Sequence, residues 1–207
     1  MHSKRGIKMK KMIGIMTICL LLMTGCSSSG SESVKITPSN LIENNLEKLK
    51  PHLSDMITGC VKVEYSGKKK EIGCKYEVWE NGKLTKGENI ISASINDKFN
   101  GEVSVSLRDA LNDNMQKSKN MIMTVAVTNG KTVSSGMKSI ETFDREHSYI
   151  INNINNEIKV KDGKEVSILG VTANGQGKLE SSDEIEENAK KAKWGLVVKI
   201  YFKDGLN

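Results

Sequence analysis

The sequence predicts a mainly β domain, an antiparallel β-sandwich with a short N-terminal helix and a second short helix before the last strand. Apolar and polar residues alternate with period two through most of the chain after residue 60. Asn-Gly and Asp-Gly dipeptides punctuate the alternating segments, and helix-like spacing is confined to the two ends. An α+β domain with one curved antiparallel sheet satisfies the same pattern and stays open.

Taken in order, residues 26–39 read as a flexible tether, Ser-rich at Ser27-Ser28-Ser29-Gly30-Ser31 and closed by Pro38. Residues 40–207 then form a single β-rich domain. Asn40–Thr58 reads as helical: Asn40 and Glu43 have capping-box spacing, and Leu46, Leu49, Leu53 and Met56 recur on one side. Pro51 divides it into two pieces. Its polar side mixes acids and bases, which favours packing on its own domain over lying on a membrane.

Val61, Val63 and Tyr65 share one buried face, Ser66-Gly67 turns, and Cys74-Lys75-Tyr76-Glu77-Val78-Trp79 alternates again before the Asn81-Gly82 hairpin signal. Further strands are expected near residues 89–95, 101–107, 121–128, 132–142, 157–160 and 165–172. Asn129-Gly130 and Asp162-Gly163 supply two more hairpin-type turns. Residues 107–117 suit either a short helix or an irregular crossover, and residues 147–156 carry no clear pattern. From Ser182 an acid-first, base-last stretch suits a helix and its dipole. Trp194–Phe202, the most apolar run after residue 26, suits a central strand buried on both faces.

Two cysteines fall within the domain. A hairpin centred on Gly67 sets Cys60 opposite Cys74 and Glu64 opposite Lys70, which makes a candidate disulfide. Alternation opposes it, because Cys60 falls on the other face from Val61, Val63 and Tyr65. Both the disulfide and two unpaired thiols therefore stay open. No histidine lies near either cysteine, so no metal site is expected. Trp79 falls on the opposite face from Tyr76 and Val78: it is a candidate exposed contact for a carbohydrate or protein, or it is covered by a helix or the second sheet. Burial is the preferred reading.

Catalytic signatures are sparse. After residue 25 only His52 and His147 offer imidazoles, and no nucleophile elbow, HExxH or phosphate-binding glycine motif is present. Asp144-Arg145-Glu146-His147 gathers titratable groups, but adjacent residues point in different directions, and a solvated loop is the preferred reading. Lys68-Lys69-Lys70 reads as a charged turn, and Gly170–Gly177 as a strand end and loop. The sequence therefore predicts no catalytic residue and no cofactor.

The first residues point to an address. Lys4, Arg5, Lys8, Lys10 and Lys11 precede an apolar run from Met12 to Met23, and Thr24-Gly25-Cys26 closes it. That run suits the core of a cleavable export signal, residues 1–25, and is short for a permanent span. Leu22-Met23-Thr24-Gly25-Cys26 resembles the lipobox of bacterial lipoproteins, with Met23 standing where leucine is usual. The resemblance implies cleavage after Gly25, a diacylglycerol thioether on Cys26, and an N-acylated, stably anchored chain on the extracytoplasmic face of the cell membrane.

Cleavage would remove five of the 31 basic residues and none of the 25 acidic ones, leaving 26 against 25. The high isoelectric point thus resides in the signal, and a nucleic-acid partner is not expected. The expected function is non-enzymatic binding or structural support at the cell envelope. Its partners are membrane lipid through Cys26 and an envelope protein or wall polymer. The alternative is an envelope hydrolase or transferase whose site assembles from distant loops.

Overall fold

Period-two segments can bury their apolar sides only by stacking face to face, and the chain does this with two antiparallel sheets. The computed structural model describes residues 33–42, 44–53, 55–143, 148–174 and 184–205. The six-stranded sheet runs, edge to edge, β7 (Thr132–Glu141), β6 (Lys117–Asn129), β5 (Lys98–Leu111), β2 (Ile57–Ser66), β1 (Ser33–Ser39) and β9 (Ile158–Lys161). The five-stranded sheet runs β4 (Lys83–Ser94), β3 (Glu71–Glu80), β11 (Trp194–Lys203), β10 (Val166–Asn174) and β8 (Ser148–Asn153).

Val61, Val63 and Tyr65 of β2 are buried, as are Ile72, Cys74, Tyr76 and Val78 of β3, on the faces that alternation assigned them. Tyr65 stacks on Phe202 across the two layers with ring centroids 4.2 Å apart. The strand Trp194–Lys203 lies in the middle of its sheet, with seven consecutive buried residues from Trp194 to Ile200. Asn81 and Gly82 turn β3 into β4 with φ of 50° and 79°, the left-handed pair that a two-residue hairpin requires.

Five expectations are corrected. The tether assigned to residues 26–39 does not extend through Ser39: Ser33–Ser39 is strand β1, paired with both β2 and β9. Val34 and Ile36 are fully buried there, and truncating Ile36 to alanine would cost about 2–5 kcal/mol. The helix expected over Asn40–Thr58 is a 3-10 helix from Asn44 to Leu53, and Ile57 and Thr58 already belong to β2. Pro51 lies inside it, where its missing N–H weakens a longer α-helix.

The Ser66-Gly67 turn does not close a hairpin. The chain crosses there from one sheet to the other, held by Gly67 N–H on the Asp97 carbonyl at 3.0 Å and Lys69 N–H on the Tyr65 hydroxyl at 2.8 Å. Glu64 therefore meets Lys35 at 3.0 Å rather than Lys70, which pairs with Asp97. Asp162-Gly163 likewise carries the chain between sheets. Residues 107–117 are neither helix nor crossover: β5 continues to Leu111, and the Asn112 side chain accepts the Asn114 and Gln116 N–H groups to turn the chain into β6.

The helix α1 (Ile185–Lys191) covers the outer face of the five-stranded sheet. Ile185 and Ala189 pack on Val197, with Trp79 beside them. Such close approach requires glycine beneath it, since a Cβ on Gly195 would lie 2.6 Å from the Ala189 Cα.

Candidate functional site

A break in the edge of the five-stranded sheet creates a concavity. Strand β8 follows β10 only as far as Asn153, opposite Leu169, then residues 154–157 carry the chain across to β9. Beyond that point the first residues of β10 have no β8 neighbour, and the register slips between Ser167 and Leu169. The gap is a cavity of about 270 Å³ between Ile154, Ile158, Ser167 and the Ile185 end of α1. Ile154 packs against both apolar clusters and lines the cavity.

Asn153, Ile154 and Asn155 also wall a second cavity, of about 390 Å³, whose other lining includes Ser39, Asn40, Thr58 and Cys60. Among the described residues no ionised side chain lines it. The Asn153 Oδ1 atom is buried with no hydrogen-bond partner among the described residues, and leaving such an acceptor unmet costs about 1–3 kcal/mol. A single loop thus separates a small, mainly apolar chamber, edged by Glu184, Glu186 and Glu187, from a polar one. The first has room for one side-chain-sized group, and the second lies at the small end of ordinary ligand sites. Their chemistry suits a hydrogen-bond donor with an adjoining apolar group.

Cys60 enters the polar chamber from the outer face of the six-stranded sheet. Burial pushes its thiol up to about 11, and the negative charge of Glu102 adds to the shift. Glu102 also accepts a hydrogen bond from the Ser39 hydroxyl at 3.0 Å. Cys74 faces the core from the other sheet, where burial raises its thiol to about 12. The candidate Cys60–Cys74 disulfide is therefore corrected: both cysteines are free, because the chain changes sheets at Gly67 and the two side chains occupy different layers. Cys60 presents a protonated thiol at neutral pH, a weak nucleophile.

Trp79 is half-buried on the outer face of the five-stranded sheet, covered by α1 rather than by the N-terminal helix or the second sheet. Its Nε1–H donates to Glu77 Oε2 at 3.3 Å, and Lys190 Nζ stands 5.2 Å from its ring centroid. Beside it lies an ionic chain that sequence reading missed. Lys199 Nζ contacts Glu77 at 2.8 Å and Glu186 of α1 at 2.7 Å, while Lys75 contacts Glu77 at 3.2 Å. Burial opposes ionisation of Glu77, but the hydrogen bonds and charges of Lys199 and Lys75 hold its carboxyl below the usual value. The signal was present: Lys75, Glu77 and Lys199 interrupt strands that are otherwise apolar. This chain ties α1 to the sheet, and Trp79 serves as a covered packing residue with a polar handle.

The remaining candidates are dispersed. Cys26 and the Asp144–His147 cluster lie outside the described residues. His52 is exposed in the 3-10 helix. Lys69 and Lys70 pair with Asp204 and Asp97, so the basic run at the sheet crossing is largely neutralised. Among the described residues no three potential metal-ligating side chains converge, and no helix is long and apolar enough to cross a membrane. No protein-family model, characterised protein or solved structure matches the chain.

Proposed function

We propose that the chain is a lipid-anchored lipoprotein of the extracytoplasmic face of the cell membrane. Its sandwich acts there as a non-enzymatic binding or structural domain, with the double cavity beside β8 as its binding site. The observation that carries the address is Leu22-Met23-Thr24-Gly25-Cys26 behind a basic and then apolar leader. The observation that carries binding is the pair of adjoining cavities on either side of residues 153–155, one mainly apolar and edged by Glu184, Glu186 and Glu187, the other polar. Together they favour a partner surface that offers hydrogen-bond donors, from an envelope protein or a wall polymer.

Two experiments test the two halves separately. Labelled palmitate should enter the full-length chain in bacterial cells and fail to enter a Cys26→Ser version; equal labelling of both would overturn the anchor. A photo-reactive residue replacing Asn155, in the cleft, should yield one dominant adduct. The same residue replacing Thr124, on the outer face of the six-stranded sheet, should not. Equal adduct patterns from the two positions would remove the cleft as the binding site.

A further inference from the structure

A sheet edge carries unpaired backbone N–H and C=O groups, and proteins guard such edges with charges, bulges or brevity. Three of the four edges here are guarded. Lys86 and Glu88 of β4 lie opposite the buried Val78 and Tyr76, and so face inward. Lys138 of β7 faces inward opposite Met123 and reaches Glu88 at 3.0 Å, which closes that side with charge. Two register slips further distort β4. Strand β9 has four residues, and two of them are lysines, Lys159 and Lys161.

The fourth edge, β8, has none of these devices. Its sequence Ser148-Tyr149-Ile150-Ile151-Asn152-Asn153 contains no charge, proline or glycine, and among the described residues it pairs with β10 alone. Tyr149 and Ile151 point toward the interlayer face, opposite the buried Ala173 and Val171, yet remain 49% and 39% exposed. The apolar layer is thus left open at this edge, as it would be where another strand completes it.

We propose that β8 pairs antiparallel with β8 of a second copy of this chain, around a twofold axis through Ile150. Side-chain alternation requires the axis to pass through a residue, and placing it at Ile150 sets the apolar residues against one another. Residues directly opposite in an antiparallel pair share a face, so a twofold centred on Ile150 sets Tyr149 against the partner's Ile151, Ile150 against itself and Ser148 against Asn152. An axis one half-step away would oppose Tyr149 with Asn152 and mismatch the faces. The chosen register makes two aromatic-to-β-branched pairs, a favourable cross-strand combination, and brings no like charges together. The same register would place charges opposite one another on the lysine-bearing edges. This pairing would join two five-stranded sheets into one of ten strands.

Six residues extend only about 20 Å, so the contact is smaller than the roughly 800 Å² per partner of a free-standing complex. Association is accordingly weak in dilute solution and rises with concentration.

The test uses the purified full chain in mild detergent at several concentrations. Ile150→Cys should form a disulfide-linked dimer under mild oxidant, because directly opposite strand residues meet the Cα spacing a disulfide needs. Ile151→Cys and the β7 control Met137→Cys should crosslink at least tenfold less. Ile150→Lys and Ile150→Glu should each abolish association while retaining the wild-type melting profile, and mixing them should restore it. Equal crosslinking at the three cysteine positions, or no rescue on mixing, would overturn the proposal. So would protection of the β8 amides from hydrogen exchange that follows added envelope extract but not protein concentration, since the occupant would then be another protein.

Discussion

Replacing Lys199 with methionine removes the cation that joins β11, β3 and α1 while leaving a side chain of similar length in the sheet. Lys199 and Glu77 have side chains only 7% and 9% exposed, so Glu77 would lose its nearest counter-charge in a poorly hydrated position. Removing one member of a buried pair costs about 3–5 kcal/mol. Two features reduce the loss: Lys75 remains 3.2 Å from Glu77, and Glu186, at 35% exposure, can turn to water. We expect about 3 kcal/mol, which for a domain of this size lowers Tm by about 6–12 °C. Urea denaturation followed by tryptophan fluorescence is a direct assay, since the Trp79 indole donates to Glu77. Adding Glu77→Gln should recover a substantial part of the loss, because no buried charge is then left unpaired. A loss below about 0.5 kcal/mol for Lys199→Met would refute the reasoning, placing the chain among solvated surface pairs.

The same chain sets a pH dependence. Burial opposes ionisation of Glu77 and Glu186, but their lysine partners hold both carboxyls below the ordinary value. Their contribution is therefore present above about pH 4.5 and lost as pH falls through the lowered folded values. The stability gap between wild type and Lys199→Met should narrow over that acid range and stay constant from pH 6 to 8. Gly195→Val drives a side chain into Ala189, and should cost about 1–3 kcal/mol and expose α1 to proteolysis before the sheets unfold. The Cys60 thiol, raised to about 11, should react with a thiol reagent at pH 7.5 at least about a hundredfold more slowly than a free cysteine, quickening as pH rises; rapid labelling in the folded state would contradict its burial.

How much of this was legible depended on whether the deciding contact is local. Val61-Lys62-Val63 and Cys74-Lys75-Tyr76 announce their buried faces by alternation, and Asn81-Gly82 announces its turn because few other pairs adopt those angles. Trp194–Phe202 declares a central strand through sheer apolarity. By contrast, nothing in Ser66-Gly67 distinguishes a hairpin from a sheet crossing: the outcome turns on β2 finding β1 and β5 as neighbours, far away in sequence. Val34 and Ile36 were hidden by their serine and proline surroundings, although two inward apolar positions suffice once β2 and β9 flank them. The cleft was invisible for a related reason. Its walls come from β1, β2, the loop after β8 and α1, and Asn153 looks like any loop asparagine until its acceptor is enclosed.

The central place of Trp194–Lys203 governs the order of folding. This strand follows every other strand in the chain, yet it separates β3 from β10 and hydrogen-bonds to both. Its pairing of Lys203 with Glu71 spans most of the domain, so the five-stranded sheet has high contact order and a slow closing step. Until β11 docks, β4 with β3 and β10 with β8 are two separate parts of the five-stranded sheet. A chain emerging from a ribosome therefore leaves this sheet incomplete until these ten residues are free, and depends on protection from aggregation while it waits.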